Sequence, residues 1–151
     1  MEEVPRKLEG NESVFVLPNV EKELGEIERV AQKYSPQDPE VFVNTFVEKA
    51  KQATLVDLTE EVWGSLDNTD SFYIPAGGWE KIAEHVEYEN KETGANRSWE
   101  DLRRKMQQGQ ELDAPIIFKH SDGIHLVSGN TRLMVARALG KKPKVLLVEL
   151  V

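Results

Sequence analysis

Apolar residues recur at helical spacing through most of the chain, then give way near its end to short runs of strand type. Val20, Leu24, Ile27, Ala31 and Tyr34 follow at steps of three and four, which predicts one face of a helix. Asn19 is its expected N-cap, Glu21 and Glu23 sit where the helix dipole favours acids, and Ser35-Pro36 stops it. A second helix opens at Asp38-Pro39, with proline at its first position, and carries Phe42, Val43, Phe46, Val47 and Ala50 as its buried stripe. A third is predicted over 57–66, capped by Asp57 with Glu60 and apolar through Leu58, Val62 and Trp63. Ahead of these, Val14 to Leu17 before Pro18 reads as a short strand or packing arm, and residues 1–12 carry no period.

Residues 67–76 are expected to form a loop, with Phe72-Tyr73-Ile74 extended before Pro75. Gly77-Gly78 leads into a helix through Trp79, Ile82, Ala83 and Val86, and the polar run 87–97 is expected to be a mobile loop. Ser98 with Asp101 caps a helix carrying Trp99, Leu102 and Met106, which closes near Gly109. After that the period changes. Residues 115–119 and 124–128 read as strands around Ser121-Asp122-Gly123, a hairpin with Asp-Gly at its turn. A helix over 131–139 ends at Gly140, and 144–150 is a nearly continuous apolar strand of the kind that lies centrally in a sheet. The expected architecture is α+β: a small mixed sheet from a β-hairpin, a helix and a strand (98–151), joined to a mostly helical part (1–97) in one compact unit.

Composition narrows the setting. Of 151 residues 39% are hydrophobic and 30% charged, enough for a core, and no run approaches the roughly 20 apolar residues of a spanning helix. The start, Met1-Glu2-Glu3-Val4-Pro5-Arg6-Lys7, lacks the basic-then-apolar pattern of a signal peptide. With no cysteine, thiolate nucleophiles, disulfides and Cys-based zinc sites are excluded. A cytoplasmic protein without a membrane partner is the expectation. The net charge of −8 is uneven: residues 98–151 carry nine Lys/Arg against six Asp/Glu, and residues 1–97 ten against 21. An acidic chain is repelled by polyanions at long range, whereas a locally positive module can still hold one anion.

The segment that could do so is Ser128-Gly129-Asn130-Thr131-Arg132, where an apolar strand turns directly into a helix. Free N–H groups at a helix start, short polar side chains and a guanidinium suit an anionic oxygen ligand such as a phosphate. Gly129 permits positive φ and a close approach to the main chain. Arg132 shares a helix face with Val135, Ala136 and Leu139 and should lean back over the turn. Its partner is either a bound anion or a carboxylate of the protein, with Asp101, Glu111 and Asp113 as candidates. Lys119, at the end of the first hairpin strand, is an auxiliary phosphate contact.

From about Trp99 to Val151 the chain resembles the ParB N-terminal/sulfiredoxin-like superfamily. The resemblance rests on Pro115-Ile116-Ile117-Phe118-Lys119, the Asp122-Gly123 turn, Leu126-Val127-Ser128-Gly129, the Arg132-bearing helix to Leu139-Gly140, and the last apolar strand. It implies a phosphate grip by Gly129 and Arg132 on a nucleotide (CTP in ParB, ATP in sulfiredoxin, ADP or ATP in free-serine kinases), and it is consistent with a phage or mobile-element origin; Mg²⁺ is the expected companion of that nucleotide. Asn130 stands where sulfiredoxins carry their reactive Cys, which excludes peroxiredoxin repair. Thr131 replaces the first of ParB's paired arginines, and Asn130 also replaces ParB's acid.

Other chemistry is sparser. Glu111, Asp113 and Asp122 are the acids from which a Mg²⁺ ligand or general base would come, although solvated loops account for them equally well. His120, His125 and Asp122 bracket one hairpin as a weak metal pair, more simply read as surface residues; Glu84-His85 lacks the second His of a zinc helix. Trp63, Trp79 and Trp99 fall on apolar faces and read as packing, or as one base-stacking ring. The leading expectation is a nucleotide-binding domain that performs or gates phosphoryl chemistry, as a hydrolase or a small-molecule kinase. A non-enzymatic protein that docks a partner on its acidic helical part comes second. DNA-associated nuclease activity comes last, because of the charge of residues 1–97.

Overall fold

The alternation of residues 116–118 and 145–148 between two apolar faces is resolved by helices packing on both sides of one sheet. The computed structural model describes residues 15–94 and 98–150. Strand β1 (Phe15–Val16) is followed by a 3-10 turn (Val20–Glu23), α1 (Leu24–Tyr34), α2 (Pro39–Gln52), β2 (Leu55–Asp57) and α3 (Glu60–Ser65). A second 3-10 turn (Ser71–Tyr73) precedes α4 (Trp79–Thr93) and α5 (Trp99–Gln107). Then come β3 (Leu112–Asp113), β4 (Ile116–His120), β5 (Gly123–Ser128), α6 (Asn130–Ala138) and β6 (Lys144–Glu149). The fold is α+β, and among the described residues no helix is long and apolar enough to cross a membrane.

The main sheet has the order β2-β6-β4-β5, with β4 parallel to β6 and the other neighbours antiparallel. The last strand is thus internal, as its apolar run predicts. Ile116, Phe118, Leu146 and Val148 face α1 and α2, where Phe118 meets the rings of Phe42 and Phe46 edge-on. Ile117 and Val145 face the other way, against Leu58, Trp63 and Leu133. A third cluster joins α4, α5 and α6 through Ile82, Met106 and Val135. The β1 strand pairs in parallel with β3 in a separate two-stranded ribbon.

Several helix signals hold. Asn19 Oδ1 accepts from the Glu21 N–H at 3.1 Å, although the turn it caps is the 3-10 turn, and α1 itself starts at Leu24 without a side-chain cap; Ser98 Oγ accepts from the Asp101 N–H at 3.3 Å. Gly140 (φ 70°) closes α6, with the Lys141 N–H donating to the Ala136 carbonyl at 2.9 Å. Ser98→Ala is expected to lower stability by about 1 kcal/mol, as loss of an N-cap does; a denaturant midpoint left unmoved would contradict that role.

Other expectations are corrected. Asp57 does not cap the third helix: residues 55–57 form β2 on the free edge of β6, and Asp57 meets Lys144 Nζ at 2.9 Å. The cap is Thr59, whose Oγ1 accepts from the Val62 N–H at 3.2 Å. Residues 71–73 form a 3-10 turn instead of an extended segment, because Thr69 Oγ1 takes the Ser71 N–H at 3.0 Å and bends the chain. The run from Glu87 is not a loop. Nothing in it breaks a helix, so α4 continues to Thr93 and ends at Gly94 (φ 71°); residues 95–97 of the expected loop lie outside the described residues. In the hairpin, Gly123 (φ 141°) pairs with His120, so the two-residue turn is Ser121-Asp122 and not Asp122-Gly123.

Candidate functional site

The turn from β5 into α6 is shaped by one extra residue. Ile116 pairs with Ser128 while the next residue, Ile117, pairs with Leu126, leaving Val127 as a bulge. Such a bulge bends the strand and re-aims the side chain after it. At the bend Gly129 takes φ 101° and stands at the start of α6 without offering a capping side chain. The start of α6 therefore has no side-chain cap from the residue before it, and its first N–H groups have no intrahelical acceptor. Gly129 also lies tightly against Pro115: a Cβ there would come within 2.6 Å of the proline Cβ.

Above this turn opens a cleft of about 620 Å³, with Ser128 to Arg132 among its lining. Its walls include Glu23, Glu26 and Arg29, then Glu89, Ser98 and Asp101, and also Asn68. Two hydroxyl oxygens at its base, Ser128 Oγ and Thr131 Oγ1, are buried with no hydrogen-bond partner among the described residues. A buried polar atom in that condition costs about 1–3 kcal/mol unless something satisfies it.

The charges around the cleft are mostly acidic. Glu26 pairs with Arg29, and Asp101 with Arg104 and, at 3.0 Å, with Lys105. The hydrogen bond from Lys105, with the nearby charges of Lys105 and Arg104, holds the Asp101 carboxyl below its ordinary pKa despite some desolvation. Glu89 lies 3.9 Å from His85 Nε2. Sequence reasoning missed three of these four carboxylates, Glu23, Glu26 and Glu89, and took Asp101 only as a cap and as a candidate partner of Arg132. They lie on helix faces that read only as solvated, and Glu89 falls in the run expected to be a loop.

Arg132 does lean back from α6. One guanidinium nitrogen donates to the Asp113 backbone carbonyl, and another lies 3.6 Å from Glu23 Oε1. Its carboxylate partner is thus Glu23, and Asp113 contributes its main chain. The Asn130 side-chain amide is engaged within the protein. Its Oδ1 accepts from the Thr69 hydroxyl, and its Nδ2 donates to His85 Nε2 at 3.1 Å. Thr69 continues this network to Ser71, which takes the buried Trp63 Nε1–H at 2.8 Å.

The remaining predicted residues lie elsewhere. Lys119 and Asp122 are at the hairpin end of β4 and β5, at the opposite end of β5 from the cleft; Glu111 is exposed, and Asp113 Oδ2 takes the Asn19 N–H at 3.4 Å. None of the four lines the cleft, nor do the three tryptophans. Trp79 and Trp99 stack on each other at 5.6 Å, and Arg103 lies over Trp79. The hairpin does bring His120, His125 and Asp122 together. Asp122 Oδ1 is 2.9 Å from His125 Nε2 and 3.4 Å from His120 Nδ1, and Asp67, unforeseen in the sequence, holds His125 Nδ1 at 2.8 Å. The described residues include no group of three or more His, Asp or Glu arranged to hold a metal ion. Comparison of the chain with protein-family models, with curated proteins and with solved structures returned no match.

Proposed function

We propose that the cleft over the β5–α6 turn binds a phosphorylated small molecule, most simply a nucleotide carrying Mg²⁺. The observation that carries this reading is the pair of buried, unpartnered hydroxyls of Ser128 and Thr131 beside the uncapped start of α6. Hydroxyl and N–H donors converging on one point serve an anionic oxygen. The carboxylate walls argue against a bare phosphate and for one whose charge is offset by its own cation, since Mg²⁺ is commonly shared between one or two carboxylates and substrate phosphates. Arg132, held by Glu23 and the Asp113 carbonyl, is placed to exchange an internal partner for a phosphate oxygen. The order of strand, turn, Arg-bearing helix and strand supports placing the module with the ParB/sulfiredoxin-like proteins. Phosphoryl transfer or hydrolysis would then draw its acid or base from the cleft walls and not from Glu111, Asp113 or Asp122.

The test is a thermal-shift screen of ATP, ADP and CTP, each with and without Mg²⁺. Ligand at 100 times its Kd stabilises by about 2.7 kcal/mol, which for a chain of this size raises Tm by roughly 5–10 °C. Arg132→Ala and Thr131→Val should each reduce that rise. No shift with any nucleotide would reject the reading. A basic protein partner is the second reading, favoured by the excess of 21 acids over ten bases in residues 1–97. It predicts a stable complex that is lost when acids of α1 and α2 are reversed in sign.

A further inference from the structure

His125 is almost fully buried, at 4% exposure, yet both of its ring nitrogens face carboxylates. Asp122, from the hairpin turn, meets Nε2, and Asp67, from the segment after α3, meets Nδ1 at 2.8 Å. Both bonds can form together only when both nitrogens carry protons, because an ionised carboxylate solely accepts. A different partner also waits at Nδ1: the Tyr34 hydroxyl, from the end of α1, lies 3.1 Å away. A phenol can donate to a bare nitrogen, which a carboxylate cannot.

Asp67 is not an isolated contact. The next residue, Asn68, pairs its amide with the outer edge of β5, giving Nδ2–H to the Leu126 carbonyl at 2.7 Å and taking the Leu126 N–H at 2.8 Å. Thr69 then donates to Asn130 at the start of α6. Residues 67–69 are thus fastened along β5 from His125 to the turn, and Asn68 lines the cleft.

We propose that His125 is a pH-operated latch on this wall of the cleft. With both nitrogens protonated it holds Asp67 and fastens residues 67–69; on losing the Nδ1 proton it accepts from Tyr34, and Asp67 is released.

The surroundings suit this role. Burial, the largest single influence, works against the charged ring, but the bonds to Asp122 and Asp67 together outweigh it, so His125 protonates more readily than an ordinary histidine. Burial, reinforced by the charge of Asp67, raises the Tyr34 phenol and outweighs Lys33, so the phenol keeps the proton that it must donate. The other titratable groups facing the ring are few. His120, on β4, shares Asp122; Lys33, on α1, sits over the Tyr34 ring. Phe118 closes the remaining face. The latch does not depend on the identity of any ligand, so it stands or falls separately from the proposed phosphate site.

Nuclear magnetic resonance of the isotope-labelled chain tests it without ligand. The Leu126 N–H bonds to Asn68, so its exchange reports the fastening of residues 67–69 directly. After correction for the intrinsic pH dependence of exchange, Leu126 protection is expected to fall at least about three-fold as His125 loses its proton, with the midpoint of the His125 ring titration. Val148, in the sheet interior, should show no matching step. Asp67→Ala, which alters an exposed residue, should give Leu126 the low protection at every pH. Tyr34→Phe should raise the His125 midpoint, because the neutral ring loses its donor. Leu126 protection that stays constant through the wild-type titration would overturn the proposal, as would Asp67→Ala retaining the wild-type step.

Discussion

Gly129→Ala is expected to lower stability by about 2–4 kcal/mol, and Tm by roughly 5–15 °C, more than any other glycine substitution near the cleft. Two effects combine. At φ 101° an L side chain is strained, a cost of about 1–2 kcal/mol. The new methyl would also meet Pro115, at 2.6 Å from its Cβ and 2.8 Å from its Cα. Pro115 cannot yield easily, since it is buried beside Ile116 at the start of β4 and its carbonyl accepts the Leu146 N–H at 2.9 Å. Gly94→Ala isolates the first effect, because Gly94 has φ 71° and open space around its Cβ position. Chemical denaturation of both variants separates strain from collision. Equal losses would show that the turn does not press on Pro115, and the shape of the cleft floor would need revision.

The second large effect is expected at His125. Replacing the buried ring by Ala should cost about 2–4 kcal/mol, as other large-to-small core changes do, because the ring packs against Tyr34 at 4.5 Å and Phe118 at 5.1 Å. The loss should also depend on pH. The folded pKa of His125 lies above its ordinary 6.5, so its ionic contribution is complete below that value and is lost as pH rises through the folded pKa. Asp122 behaves oppositely. The hydrogen bond from His125 holds its carboxyl below the ordinary 3.8, so its contribution is present above that value and is lost as pH falls through the folded pKa. The Tm gap between wild type and His125→Ala should therefore be widest between about pH 4 and 6.5 and narrow on either side. A gap of constant width would mean that the ring contributes only packing.

How far the cleft was legible in advance varies by residue. The expectation of an anion site at the β5–α6 turn follows from its composition, and the backward lean of Arg132 follows from the direction of helical side chains. The use made of each group does not. Gly129 reads as room for a ligand, yet the space its missing Cβ leaves is taken by Pro115. Asn130 reads as an oxyanion contact, but its amide is committed to Thr69 and His85. Asp57 and Glu60 have the spacing of a cap, and the unpaired edge of β6 claims Asp57 first. The polar run after Val86 looks like loop because it lacks an apolar stripe. A helix end that leaves the core needs no stripe, only residues that do not break it.

Nearest-neighbour chemistry was sufficient for the helices α1, α2, α5 and α6, the two hairpin strands and the internal last strand, because caps and period act within a few positions of one another. The cleft is built from the opposite kind of contact. Arg132 meets the Asp113 carbonyl 19 positions away, His125 meets Asp67 at a separation of 58, and Asn130 meets Thr69 at 61. Such partners answer to no local pattern. Packing helices on both sides of one sheet brings them together, and the low polarity of the sites they share makes each pairing count. The residue types of the turn lead to the expectation of an anion site; the folded chain sets Glu23, Glu26, Glu89 and Asp101 around that turn and runs residues 67–69 along β5 beside His125.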